Sequence, residues 1–136
     1  MRAILLALVI GVIGTNADAE SGAMTVELNK LEPRNGSCLA YLVLENDVGV
    51  RFETFRLDLV MFDTDGIIAR RLALEAGPLE EGKTAVKMFD ITDLPCQDLG
   101  RVLLNEVIDC EAGDGTAPDC TAYTHVTART EVPFIK

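Results

Sequence analysis

The feature that most constrains this chain is a series of short apolar or alternating segments, separated at nearly regular intervals by Gly, Pro, Asn and Asp. Segments of this length, with polar and apolar residues in alternation, are typical of β-strands that turn one face to a core. They cover residues 24–31, 38–45, 55–62, 67–74, 84–91, 101–110 and 121–129. Seven strands with turns between them predict an all-β fold, a single seven-stranded antiparallel immunoglobulin-like β-sandwich with Greek-key topology.

Helix is the alternative in two of these regions. Residues 70–81 read RRLALEAGPLEE, and Ala, Leu and Glu favour helix. Pro78 would end such a helix after about two turns, which is a marginal length in water. Residues 101–110 have the same alternative with less support. We therefore predict strands in both regions.

The N-terminal residues 1–19 have the pattern of a secretory signal peptide. Arg2 supplies the positive start, an uninterrupted apolar run follows, and Ala17 and Ala19 place small side chains where signal peptidase requires them. The run is shorter than the roughly 20 apolar residues that cross a bilayer. We expect cleavage after Ala19, Sec-type export to the periplasm or the exterior, and one domain over residues 20–136 with no stable membrane insertion. An uncleaved N-terminal anchor is the alternative.

The charge balance bears on the partners of this domain. Twenty-two acidic and twelve basic residues give a formal net charge of −10. Nucleic acids and anionic lipid headgroups are bound through Lys and Arg, so a surface this acidic argues against both as ligands. Solubility is a sufficient reason for the excess of carboxylates.

Four cysteines, Cys38, Cys96, Cys110 and Cys120, lie in the expected mature chain. An even number in an exported protein predicts two disulfides, for which three pairings are available. In the expected topology the first two cysteines lie at one end of the sandwich and the last two at the other. We therefore predict the bonds Cys38–Cys96 and Cys110–Cys120. Their role is structural, because the close C-x-x-C spacing of redox sites is missing.

Residues 37–91 resemble a known family. The runs CLAYLVLEND and FRLDLVMFDTDGIIARRLALEAGPLEEGKTAVKMFDI are similar to FxLYD-type and related Ig-like domains of bacterial envelope proteins. In those domains a strand carries an Asn, here Asn46, and a long apolar strand ends in an aromatic residue and Asp-x-Asp/Asn-Gly. An x-L-x-x-G element, here residues 78–82, leads to another strand. The Leu-Tyr-Asp signature is replaced by VMFD at residues 60–63.

The chain is also similar to short exported proteins of alphaproteobacteria. These resemblances imply an Ig-like fold and an envelope location, and they bring no catalytic residue with them.

The stretch MFDTDGIIARR, residues 61–71, could form either a calcium-binding loop or a turn between two strands. An EF-hand loop that began at Asp63 would need Gly at its sixth position and Glu at its twelfth. Gly66 is instead the fourth residue and Leu74 the twelfth. Because Gly accepts positive φ readily, we predict a hairpin turn between two strands.

Few other residues suggest chemistry. His125 is the only histidine, which argues against type-1 copper sites and against zinc sites built on several histidines. With Met24, Met61 and Met88 it would form a soft Cu(I) site only if all four converged at the surface, and Met61 and Met88 are expected to pack in the core. No serine lies in a G-x-S-x-G turn. We assign no catalytic, cofactor or metal residue.

An interaction surface is the remaining hypothesis. Phe52, Leu79, Arg70 and Arg71 are predicted to contribute to it, with the two arginines on opposite faces of one strand. The alternative is that the arginines are edge-strand charges that discourage aggregation. We expect a non-enzymatic module that binds an unknown envelope protein or surface component and is a monomer or a weak oligomer. The alternative function is a periplasmic carrier of a small ligand or of copper.

Overall fold

The computed structural model describes residues 22–115 and 119–136. Within these ranges the chain forms eight strands and a short 3₁₀ helix at Cys96–Asp98. The strands are β1 (Met24–Arg34), β2 (Ser37–Asn46), β3 (Phe52–Asp63), β4 (Ile68–Glu75), β5 (Thr84–Ile91), β6 (Leu99–Ala112), β7 (Thr124–Ala128) and β8 (Phe134–Ile135). All seven predicted strands are present, and both segments with a helical alternative are strands. The predicted signal peptide, residues 1–19, lies outside the described residues.

The strands form two sheets that pack face to face. The β2 sheet has the order β5-β2-β1-β7, and the β3 sheet has the order β4-β3-β6-β8. The prediction of an all-β, two-layer fold is confirmed. The prediction of seven strands in purely antiparallel pairing is wrong, because β7 runs parallel to β1 and an eighth strand runs parallel to β6. Strand β8 has only two residues, which is too short for an alternating pattern to show in the sequence.

The core lies between the two sheets, where every second side chain of each central strand points inward. The fully buried inward residues include Ala40, Leu42 and Leu44 on β2 and Phe55, Leu57, Leu59 and Met61 on β3. The sequence gives no preferred face for β5. In the structure this strand turns Phe89 and Ile91 inward, whereas Val86 and Met88 are 60% and 59% exposed.

Both predicted disulfides are present. Cys38–Cys96 joins the start of β2 to the 3₁₀ helix that leads into β6, and so ties the two sheets together at one end. Cys110–Cys120 joins the end of β6 to the segment before β7. Such bonds persist in oxidising compartments. No helix in the described ranges is long and apolar enough to cross a membrane.

Asn46, at the end of β2, is a buried polar residue that holds two loops. It is 1% exposed. Its Nδ2 donates to the carbonyl oxygens of Val50 at 2.9 Å and Glu80 at 3.2 Å, and its Oδ1 accepts from the amide of Val48 at 3.2 Å. Because a buried polar group left without a partner costs about 1–3 kcal/mol, these bonds fix both loops against β2. The Asn and the x-L-x-x-G element noted in the sequence therefore meet in space.

The stretch 61–71 forms the β3–β4 hairpin, as predicted. The Asp63 carboxylate accepts hydrogen bonds from the amides of Asp65 and Ile67, both at 2.9 Å, and thereby closes the turn on its own backbone. Gly66 has a φ of +79°, which a residue without a Cβ adopts without strain. Gly100 is needed beside this turn, because a Cβ there would collide with the backbone carbonyl of Asp63.

Candidate functional site

Two of the four residues predicted at an interaction surface lie in the core. Phe52 and Leu79 are 0% and 2% exposed. Each amide donates to the carbonyl oxygen of the other residue, at 2.9 and 2.8 Å, and this short bridge turns both side chains inward. The Phe52 ring meets Phe55 edge to face, with ring centroids 5.3 Å apart. The prediction for this pair is wrong, because β3 begins before the predicted residue 55 and places Phe52 on its buried face.

Arg70 and Arg71 lie on opposite faces of β4, as predicted, and have different partners. Arg70 pairs with the fully buried Met61, so it lies on the inner side of the sheet edge. Its Nε donates to the carbonyl oxygen of Thr92 at 2.8 Å, and its Nη2 lies 3.5 Å from the Asp93 carboxylate. Arg70 therefore connects the edge strand of the β3 sheet to the segment that follows β5 in the other sheet.

Arg71 lies on the outer face of β4 and is held by a buried carboxylate. Its Nε and Nη2 donate to the two oxygens of Asp58 at 2.9 and 2.7 Å, and Asn105 donates to the second oxygen at 2.8 Å. The Asp58 side chain is 5% exposed, whereas that of Arg71 is 62% exposed. The hydrogen bond from Arg71, supported by Asn105 and opposed by burial, lowers the pKa of Asp58. A two-point bond of this kind fixes the guanidinium plane, so Arg71 presents an oriented positive charge to solvent.

Arg71 belongs to an apolar and basic surface on the outer face of the β3 sheet, which we call the Phe62 patch. Its members are Phe62, Ile68, Arg71, Arg101, Leu103 and Ile135. Residues directly opposite each other on neighbouring strands share a face of the sheet. Phe62 pairs with both Ile68 and Arg101, and Leu103 pairs with Ile135. The patch therefore runs across all four strands of the β3 sheet.

The Phe62 patch combines exposed apolar side chains with two arginines. Ile68 is 62% exposed and Ile135 is 38% exposed. The guanidinium carbon of Arg101 lies 4.4 Å from the centroid of the Phe62 ring, which is a cation–π arrangement. Aromatic and Arg side chains dominate the binding energy of many protein interfaces. The two arginines next to apolar side chains distinguish this face from the rest of a protein whose net charge is −10.

The outer face of the β2 sheet carries exposed apolar residues with acidic neighbours, which we call the Met88 strip. Its members are Tyr41, Val43, Glu45, Val86, Met88 and Asp90. Met88 pairs with Tyr41, and Val86 pairs with Val43, so these four side chains share the face. The strip joins the apolar surface of edge strand β5 to that of β2.

A shallow groove of about 370 Å³ adjoins the Met88 strip. It is lined by Thr25, Glu27, Asn29, Val43, Glu45 and Arg129. The Glu27 carboxylate accepts from Asn29 at 2.8 Å and from Arg129 at 3.1 Å, and these two bonds, the first being the stronger cause, lower the pKa of Glu27. Glu45 adds an exposed carboxylate beside the apolar Val43. Because Arg129 is paired with Glu27, Glu45 is the carboxylate of the groove that can attract a positively charged group, with Val43 beside it for the apolar parts of that group.

The residues considered for a soft copper site are not brought together. Met24 and Met61 are fully buried, whereas Met88 is 59% exposed, so the expectation that Met88 packs in the core is wrong. His125 lies on β7 and Met88 on β5, at opposite edges of the β2 sheet. Three strand spacings separate these edges, roughly 14 Å. Among residues 22–115 and 119–136, no group of three or more His, Cys, Asp or Glu side chains is placed to hold a metal ion.

Most of the Phe62 patch is not predicted by the sequence. The one indication in the sequence comes from the outward-facing residues of β3. They begin with the charged Arg56 and Asp58 and become apolar at Val60 and Phe62. An apolar stretch on the outward side of an antiparallel strand is unusual for a face that meets only water. The flanking arginine, Arg101, comes from a distant segment, and nothing local indicates that it lies beside Phe62.

Comparison with known proteins supports the fold. No protein-family model and no curated protein sequence matches this chain. Among solved structures, IrmA from Escherichia coli is similar, with a TM-score of 0.56 over 76% of this chain and 90% of the IrmA chain. The two sequences are 11% identical, so the likeness concerns the β-rich architecture alone. The kinship with FxLYD-type domains stays a prediction.

Proposed function

We propose that this protein is a non-enzymatic interaction module of the cell envelope or the secreted space, and that the Phe62 patch is its contact surface. The observation that carries the proposal is Arg71, an exposed guanidinium oriented by the buried Asp58 among apolar side chains. Because this side chain is ordered before a partner arrives, its binding loses little conformational entropy. The fitting partner offers a carboxylate beside apolar groups, on an envelope protein or a surface component.

The small two-disulfide sandwich fits a secreted or envelope module. The proposed location is the periplasm, reached through the signal peptide at residues 1–19, and the proposed kinship is with Ig-like exported proteins. Intact-mass measurement of the exported protein tests this location. A chain that begins at Glu20 is expected, and an exported chain that keeps residues 1–19 would contradict the proposal.

Photo-crosslinking in intact cells tests the contact surface. A photoreactive residue at position 68 is expected to capture one defined neighbour, because Ile68 is the most exposed apolar member of the patch. The matched control is position 108, since Ile108 is 42% exposed on β6 and is not a member of the patch. Arg101→Gln should reduce the adduct from position 68 about tenfold, as expected for loss of an interface Arg. Equal adducts from positions 68 and 108 would contradict the assignment of this surface.

The copper-carrier alternative has no comparable observation behind it, since Met88 and His125 lie at opposite edges of the β2 sheet. Copper titration followed by native mass spectrometry is the direct test. We expect only weak, non-stoichiometric binding of Cu(I). One ion bound per chain at submicromolar concentration would contradict a purely interaction role.

A further inference from the structure

We infer that one partner of the Phe62 patch is the Met88 strip of a second copy of this chain, so that the protein associates weakly with itself, head to tail. The inference rests on the proposed function, because it uses the same patch. It adds the identity of the partner that binds the Phe62 patch, and it assigns a role to the Met88 strip on the opposite face of the sandwich.

The two surfaces are complementary in charge. The Phe62 patch presents Arg71 and Arg101; Asp58 is buried beneath Arg71, and one exposed carboxylate, Glu106, lies beside this pair. The Met88 strip presents the exposed carboxylates of Glu45 and Asp90, with one cation, Lys30, over the ring of Tyr41. Opposite potentials on two faces favour their encounter and fix their relative orientation.

Both surfaces also have an exposed apolar centre. Ile68 in the patch is 62% exposed, and Val86 and Met88 in the strip are 60% and 59% exposed. Single exposed aliphatic residues are common on soluble proteins, but apolar clusters rimmed by charge mark sites of protein contact. Two of these residues lie next to aromatic side chains, because Ile68 pairs with Phe62 and Met88 pairs with Tyr41, and Val86 pairs with the aliphatic Val43. Contact between the two centres would remove apolar surface of both copies from water.

The groove beside the strip provides a place for an arginine of the second copy. It has a volume of about 370 Å³ and presents Glu45 next to Val43, while its own cation, Arg129, is paired with Glu27. The Arg101 side chain is exposed and stacks over an aromatic ring, so it can reach a carboxylate without losing that contact. A guanidinium that entered the groove would meet a carboxylate and an aliphatic wall together.

The position of the two surfaces decides the form of the assembly. They lie on the outer faces of different sheets and therefore on opposite sides of the sandwich. A contact between different surfaces leaves a free patch at one end and a free strip at the other, so it can be repeated. The net charge of −10 makes the copies repel each other and limits the affinity. The expected product is a short, reversible stack that grows with protein concentration.

Sedimentation velocity of the purified exported protein tests this inference. Ile68→Asn alters only the patch and Val86→Asn alters only the strip, and both positions are exposed enough for the fold to accept Asn. Each variant alone should lower the association constant about tenfold, because each has lost one apolar centre. An equal mixture should form dimers and nothing larger, since the intact patch of one variant meets the intact strip of the other. Ile108→Asn is the matched control and should associate like the wild type.

Three results would overturn the inference. They are a wild-type protein that stays monomeric at every accessible concentration, association that neither variant weakens, and a mixture that forms long assemblies. If the wild type is monomeric while position 68 still crosslinks to a different protein, self-association is wrong and the proposed function stands. If position 68 captures no neighbour although the stack forms in solution, the proposed envelope function fails separately.

Discussion

Asp58 determines the geometry of the Phe62 patch, although it contributes almost no surface itself. Its side chain is 5% exposed, on the outer face of a sheet where a carboxylate would ordinarily be solvated. Arg71 and Asn105 satisfy its oxygens, so the charge is retained and the arginine is fixed in position. The orientation of the exposed Arg71 therefore depends on the buried Asp58.

Asp58→Asn tests this dependence through the pH response of stability. Arg71 holds the folded-state pKa of Asp58 below its unfolded value, so the stabilisation is complete above the unfolded pKa of about 3.9. It is lost as the pH falls through the lower folded pKa. We expect the variant to be less stable than the wild type by about 1–2 kcal/mol at neutral pH, and the difference to shrink below about pH 4. Urea unfolding followed by circular dichroism measures both values.

The matched control is Glu106→Gln. Glu106 lies on β6 opposite Asp58, is exposed, and attracts Arg71 only through a Coulombic interaction that solvent screens, so the substitution should change stability much less than Asp58→Asn does at neutral pH. A difference between Asp58→Asn and the wild type that is equal at both pH values would show that the ion pair is not its cause.

Strands β4 and β5 lie at sheet edges, where their outer backbone N–H and C=O groups are not paired within either sheet. Such an edge can pair with a strand of another chain and so lead to aggregation. Each carries a cation on its inner side. Arg70 pairs with buried Met61, and Lys87 pairs with buried Leu42. An inward charge near a sheet edge makes pairing with another edge unfavourable, since the charge would lose its water. The placement of Arg70 is that of an edge-strand charge, whereas Arg71 faces solvent.

Lys87→Ile tests the protection of β5. The substitution makes the strand apolar on both faces between Ala85 and Phe89, so we expect pairing of edges and β-rich aggregation. Thioflavin fluorescence and light scattering at elevated concentration measure it. Lys83→Ile, in the loop just before β5, is the control and should aggregate no faster than the wild type. Equal aggregation of the two variants would mean that the inward position of Lys87 has no special effect.

At the scale of the whole molecule, two disulfides constrain two different lengths of chain. Cys38–Cys96 spans 58 residues and joins the two sheets, whereas Cys110–Cys120 spans 10 residues near one end. A crosslink that closes a longer loop removes more entropy from the unfolded chain. The first bond therefore contributes to the assembly of the sandwich, and the second mainly orders the approach to β7.

Paired alanine substitutions test this difference without leaving a free thiol. On the chain-entropy account, Cys38→Ala with Cys96→Ala should lower the unfolding free energy by about 4 kcal/mol, and Cys110→Ala with Cys120→Ala by about 3 kcal/mol. Thermal and chemical unfolding of both double variants measure the two losses. A larger loss for the short loop would contradict the entropic explanation.

The sequence by itself determined the features that depend on neighbouring residues. The strands and the turn at Asp63 and Gly66 were predictable, because alternation and turn chemistry act within a few residues. The disulfide pairing was predicted from the expected sandwich topology, which places Cys38 and Cys96 at one end and Cys110 and Cys120 at the other. The tertiary structure alone decided the parallel pairing of β7 and β8, the inward placement of Phe52 and the outward placement of Met88.

The Phe62 patch also depends on the tertiary structure, because it collects residues between positions 62 and 135 that become neighbours only when the β3 sheet is assembled. The direction of a side chain within a strand is a local property of the backbone. Long-range packing decides which strand lies beside it and which face stays exposed to water. The packed segments are far apart in the sequence, so the residues around each one do not indicate its partner.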